Sequence, residues 1–249
     1  MPIVDLGLLR SDRPLGKLVR TPLRLIPKNL VVPILQGPLR GRRWVVGSSV
    51  HGCWLGWYER PKQLEFAAAL RPGAVVYDIG ANVGFYTLLS SILVGSQGRV
   101  YAFEPVPRNA ALLRRHVVLN DLKNVDVLEL AVGERAARAM FDDTLGDSQG
   151  RLHDGGRLPV AVVALDALEA AGVLRPPDVM KIDVEGAEAA VLKGARRLLA
   201  TCRPTVFLAT HGPAQHQECL TILCGLGFHV LALGGGPPDK TDELVATRP

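Results

Sequence analysis

No stretch of the sequence approaches the roughly 20 consecutive apolar residues that a bilayer-spanning helix needs. The first residues lack the apolar core and small-residue cleavage site of a secretory signal. The chain is therefore expected to work in the cytoplasm. Cysteine is scarce. Cys53, Cys202, Cys219 and Cys224 form no CxxC pair and no dense framework, which argues against a disulfide scaffold and fits free thiols in a reducing compartment. His211, His216, Cys219 and Cys224 lie close in sequence but lack a zinc-ligand spacing, so no metal site is expected. Internal repeats are missing too. Charged residues are only 21% of the chain, which argues against a disordered body.

What is present fits one globular unit. The chain has 249 residues and is 48% hydrophobic, enough for a single large core. The net charge of +5 is uneven. Residues 1–43 hold nine Lys or Arg against Asp5 and Asp12, and the remainder is slightly acidic. A basic arm on a near-neutral body does not describe a nucleic-acid groove running across the protein, and no nucleic-acid partner is expected. Such an arm can attract an anionic substrate or touch a membrane surface peripherally. Pro2, Pro14, Pro22, Pro27, Pro33 and Pro38 keep long helices out of it. Trp44, Trp54, Trp57 and Tyr58 follow, interleaved with Gly47, Gly52 and Gly56. Residues 1–60 are thus expected to be a basic, Pro- and Trp-rich extension or lid. Its aromatics would seal a core edge or line an acceptor pocket.

From residue 61 onward the pattern is regular. Apolar strand candidates at 74–79, 99–103, 125–130, 179–182 and 204–209 alternate with helix candidates at 62–70, 84–94, 107–120, 186–200 and 214–226. Residues 134–158 read as a loop or hairpin insertion. An edge strand is expected at 160–164, a short helix at 165–171, and a late antiparallel pair at 228–233 and 244–247. The fold class is therefore α/β, doubly wound around a mostly parallel sheet. Ligands of such sheets bind past the carboxyl ends of the strands, where strand order reverses.

Three stretches at that edge carry chemistry. The first is Asp78-Ile79-Gly80-Ala81-Asn82-Val83-Gly84, a glycine turn into a helix. Asp78 would stand beside the ligand as an acceptor. It disfavours a pyrophosphate and tolerates a sulfonium or ammonium, so the spacing points to S-adenosylmethionine rather than a dinucleotide. Glu104, after the second strand, can accept hydrogen bonds from both ribose hydroxyls. The third stretch is Lys181-Ile182-Asp183-Val184-Glu185-Gly186, with Glu188 beyond. Asp183 would meet the methyl acceptor; Glu185 would do the same or cap the following helix. Lys181 would pair with one of these acids. His211, after the fifth strand, is either a general base or a structural histidine.

These strings resemble the FkbM family of S-adenosylmethionine-dependent methyltransferases. The matching stretches are VVYDIGANVGFYTLL, GRVYAFEPVPRNAALLRRHVVLN, LDAL and VMKIDVEGAEAAVLKGARRLL. The resemblance implies a class I, Rossmann-like methyltransferase fold that methylates oxygen on small molecules or glycans. It implies cofactor contacts from Asp78, Gly80, Asn82 and Gly84, a ribose contact from Glu104, and adenine flanked near Asn124 and Ala131. Asp183 and Glu185 would face the acceptor. Two rivals share part of the pattern. One is a dinucleotide-dependent oxidoreductase on the same fold. The other is an RNA-modifying or RNA-binding protein using the basic arm, although no Asn-Pro-Pro-Tyr-type site follows the fourth strand.

Overall fold

Seven strands form the central sheet of the computed structural model, which describes residue 23 and residues 25–142, 151–152 and 156–248. In chain order they are β3 (Val75–Ile79), β4 (Arg99–Phe103), β5 (Val125–Leu128), β10 (Val179–Ile182), β11 (Thr205–Ala209), β12 (His229–Ala232) and β13 (Glu243–Thr247). Their spatial order is β12-β13-β11-β10-β3-β4-β5. All pairings are parallel except those made by β13, which lies antiparallel between β11 and β12. The chain moves outward from β3 in one direction, then restarts at β10 on the other side. That reversal opens a crevice between the carboxyl ends of β3 and β10. This is the class I methyltransferase, Rossmann-like arrangement, with its late antiparallel pair.

Both faces of the sheet are covered, so the central strands read as continuous apolar runs. Every residue of β3 and β10 is buried. Alternate side chains enter different cores: Val75, Tyr77, Ile79, Met180 and Ile182 enter one, while Val76, Val179 and Phe207 enter the other. The helices are α1 (His51–Leu55), α2 (Arg60–Ala69), α3 (Phe85–Val94), α4 (Pro107–Leu119), α5 (Leu165–Ala170), α6 (Glu188–Gly194), α7 (Arg196–Cys202) and α8 (Pro213–Gly225). None of them is long and apolar enough to cross a membrane. Residues 186–200 were expected as one helix. They form α6 and α7, with Ala195 between them out of helical geometry (φ −115°, ψ 13°).

Residues 31–58 pack against α3 and α4, with Trp44 on Phe85 and His116 and Tyr58 on Phe85. The strands β1 (Val31–Pro33) and β2 (Arg43–Val45) pair antiparallel. Trp44 is fully buried, and Val46, Cys53 and Trp54 share a core with Phe66, Val76 and Leu88. Most of the basic arm, residues 1–22 and 24, lies outside the described residues, and with it the expected membrane or anion contact.

One strand expectation is corrected. Residues 160–164 are not an edge strand. Residues 160–163 belong to β9 (Leu158–Val163), an interior strand of a second sheet ordered β6-β9-β7-β8. Its other members are β6 (Ala131–Val132), β7 (Ala137–Asp142) and β8 (Arg151–Leu152). The hairpin expected in 134–158 is therefore part of a four-stranded sheet, and Phe141 from it reaches the crevice.

Candidate active site

A cleft of about 400 Å³ opens at the carboxyl ends of β3, β4, β10 and β11, within the range of small-molecule sites. It is lined by Gly80, Asn82, Glu104, Ala131, Asp183, Glu185 and His211, seven of the ten residues singled out in the sequence. Their chain positions span more than a hundred residues, and the strand ends bring them together.

The turn after β3 is built for close approach. Gly80 has φ +75°, and a Cβ there would lie 1.9 Å from the carbonyl oxygen of Asp183. Only glycine lets the ends of β3 and β10 come this near. Gly84 starts α3 with φ +92° and would drive a Cβ to 2.8 Å from the Leu113 side chain. Gly84 therefore allows helix packing and does not line the cleft.

Glu104 is buried at the cleft wall. One carboxylate oxygen accepts the N–H of Asn82 at 2.8 Å, and the other accepts the N–H of Val106 at 3.0 Å. Burial pushes its pKa up to about 6, against the pull of these hydrogen bonds.

Asp78 was expected beside the ligand. Within β3 it shares the face of Val76 and does not line the cleft. It is fully buried. Thr87 of α3 donates to it at 2.6 Å, and the Lys181 ammonium stands 3.4 Å from its other oxygen. Lys181 is directly opposite Asp78 in the β3–β10 register. Asp78 thus fixes Lys181, which donates onward to the Gly80 carbonyl at 3.1 Å. Asn124 departs further. It precedes β5, at the amino end of the sheet, and its amide donates to the carbonyls of Ser91 and Gly95. It does not reach the cleft. Both residues hold the frame that the cleft is built on.

The far half of the cleft is a network of charges. Asp183 Oδ2 faces Lys181 at 3.7 Å and Lys62 at 3.9 Å. Burial would raise the Asp183 carboxyl, but these lysines and His211 outweigh it and hold it below its ordinary range. Lys62 binds Glu243 at 2.7 Å and lies 3.8 Å from Glu59. Tyr86 donates to Glu59 at 2.9 Å. Sequence reasoning missed Glu59, Lys62 and Glu243. Glu243 opens β13, whose insertion beside β11 is a long-range event with no local signal.

His211 sits between acids. Its Nδ1 is 2.8 Å from Glu188, and its Nε2 is 3.3 Å from Glu185 and 4.0 Å from Asp183. The hydrogen bond to Glu188, opposed by burial and helped by Glu185, raises its pKa to about 9. It is an imidazolium at neutral pH. Glu185 is held with φ +55°, a left-handed conformation uncommon for a non-glycine residue and typical of functional turns. Burial raises its carboxyl. The group of His216, Cys219 and Cys224 does not assemble around His211: His216 bonds Thr210 at 2.9 Å, Cys219 is buried and Cys224 is exposed.

The cleft suits a cation. Its acids Glu59, Glu104, Asp183, Glu185, Asp242 and Glu243 outnumber Arg108, Lys181 and His211. Apolar Phe103, Leu130, Ala131, Val132 and Phe141 line the end near Glu104. A sulfonium cofactor with an adenosine moiety matches this division, whereas a pyrophosphate would meet repulsion.

Comparison with known proteins agrees. Residues 78–230 match the family described as the Methyltransferase FkbM domain. The chain is 32% identical over 203 residues to the 31-O-demethyl-FK506 methyltransferase FkbM of Streptomyces tacrolimicus, covering 68% of this chain and 78% of that protein. It is 28% identical over 153 residues to the hexuronic acid methyltransferase AglP of Haloferax volcanii, covering 60% of this chain and 61% of that one. A solved structure of a methyltransferase FkbM from Methylobacillus flagellatus KT aligns with a TM-score of 0.50 at 20% identity, over 79% of this chain and 53% of that chain. That likeness bears on the fold alone. The chain spans about three fifths of the Haloferax relative and about half of the solved protein.

Proposed function

Because this chain belongs to the FkbM methyltransferase family and depends on S-adenosylmethionine, we propose that it methylates a hydroxyl oxygen of a small molecule or glycan. One observation carries the reading: Glu104 and the acidic cluster of Asp183 and Glu185 line a single cleft. When bound, S-adenosylmethionine supplies an electrophilic methyl group on a sulfonium.

Glu104 holds the ribose diol, and the backbone of Gly80–Asn82 lines the methionine portion. Ala131 and Phe141 pack on the adenine. The acceptor enters beside Asp183, Glu185 and His211. Asp183, kept anionic by Lys181 and Lys62, accepts the hydroxyl hydrogen and orients its lone pair. His211 already carries its proton at neutral pH. The base role considered for it from sequence therefore passes to the carboxylates, and His211 positions Glu185. The printed names of two relatives, one a hexuronic acid methyltransferase and one acting at a 31-O position, support an oxygen acceptor. The four cysteines are free thiols, which supports a cytoplasmic reaction.

The test is methyl transfer from isotopically labelled cofactor to a panel of hydroxylated small molecules, uronic acids and oligosaccharides, with products mapped by mass spectrometry. A methyl ether on one of them is the expected result. Transfer to amines alone, or to RNA alone, would contradict it.

A further inference from the structure

Three donor atoms in the cleft converge. Asp183, Glu185 and His211 each offer one atom, and all lie within 4.8 Å of one another. A first-row divalent ion sits about 2.0–2.2 Å from nitrogen and oxygen donors, which places neighbouring donors about 3–3.5 Å apart. The His211 Nε2 to Glu185 separation is already 3.3 Å, and Nε2 to Asp183 is 4.0 Å. All three side chains are partly exposed.

The support behind His211 points the same way. Nδ1 is bonded to Glu188, which is fully buried and also accepts the N–H of Gly186 at 2.8 Å. A buried carboxylate on the far nitrogen is how proteins fix a metal-binding imidazole, because it commits Nε2 to the ligand side. The second oxygen of Glu188 is buried with no hydrogen-bond partner. The lysines do not supply a cation on the Nε2 side of the ring. Lys62 and Lys181 both approach Asp183 at Oδ2, whereas Oδ1 faces His211. Among the described residues no lysine or arginine lies within 4 Å of Glu185.

We propose that Asp183, Glu185 and His211 ligate a divalent cation that displaces the Nε2 proton of the imidazolium to solvent, that Glu188 holds the imidazole for it, and that the acceptor hydroxyl takes one of the remaining positions. One imidazole and two carboxylates suit manganese, iron or zinc rather than a soft thiolate-seeking ion. The catalytic part of this inference rests on the oxygen-acceptor reading above. A hydroxyl on the cation is acidified, and its proton passes to the carboxylate of Asp183 and on to solvent. The oxygen lone pair then forms the bond to the methyl carbon while the carbon–sulfur bond breaks. Its electron pair returns to sulfur, which leaves as a neutral thioether.

The test is binding of Mn2+ alone and Zn2+ alone to chelator-treated full-length protein, by electron paramagnetic resonance and calorimetry. One ion per chain is expected. Glu185→Gln and His211→Ala should abolish that site, and Glu188→Gln should weaken it by roughly 10- to 100-fold. All three variants should retain S-adenosylhomocysteine affinity within a few fold, which also reports that they fold. Failure of both ions to bind at millimolar concentration, or equal affinity in wild type and variants, overturns the site. Hydroxyl methylation that persists fully in excess chelator overturns its catalytic part while sparing the oxygen-acceptor reading. A bound ion with methyl transfer only to amines upholds the site and overturns that reading.

Discussion

The Trp44 indole lies flat on the His116 imidazole, with ring centroids 3.9 Å apart and planes 11° apart. His116 Nε2 accepts the Val45 N–H at 3.1 Å, and Nδ1 lies 2.8 Å from the Val83 carbonyl. The proton is therefore on Nδ1 and the ring is neutral. This one ring ties the N-terminal strand β2 to α4 and to the turn before α3.

Burial lowers the His116 pKa to about 4. The unfolded chain titrates near the ordinary 6.5, so it binds the proton first as pH falls. Stability from this group is fully present above pH 6.5 and is lost progressively down to about pH 4. The loss is on the order of 3 kcal/mol. Denaturant midpoints between pH 7 and 4 should fall accordingly, and the ring resonance should titrate near pH 4. A ring that titrates near 6.5 contradicts the assignment.

Glu104 makes cofactor binding sensitive to pH. Its carboxylate must be ionised to accept from two ribose hydroxyls, and its pKa is about 6. Affinity for S-adenosylhomocysteine should be flat above pH 7 and roughly tenfold weaker at pH 5. Calorimetry at the two values checks this. Equal affinity would remove Glu104 from the ribose.

Lys181 is buried against Asp78. Lys181→Met should leave Asp78 as an uncompensated buried charge and cost about 3–5 kcal/mol. Adding Asp78→Asn should restore part of that loss. A double-mutant cycle by chemical denaturation measures the coupling, and additive effects would show that the pair does not interact.

The sequence disclosed what local pattern encodes. The apolar string of β3, the glycine turn and the Asp183–Gly186 turn each announce themselves within a few residues. The α/β order followed from their alternation, because parallel strands buried on both faces need covering helices. What failed was side-chain direction. Asp78 was expected beside the ligand, but alternation within β3 turns it toward Thr87. Asn124 precedes β5 and so belongs to the wrong end of the sheet. Glu243 and Lys62 come to Asp183 only through the antiparallel insertion of β13 and the packing of α2. The state of His211 depended on Glu188, a residue noted in passing whose buried position no periodicity indicates.

The division of labour within the cleft is the central claim: Glu104 binds the cofactor, and Asp183 serves the acceptor. Calorimetric titration of S-adenosylhomocysteine into Glu104→Ala and Asp183→Asn, beside the unmodified protein, tests it most directly. The account predicts that Glu104→Ala weakens binding at least tenfold, while Asp183→Asn stays within a few fold and loses only turnover. Unchanged affinity in Glu104→Ala together with lost affinity in Asp183→Asn would contradict it.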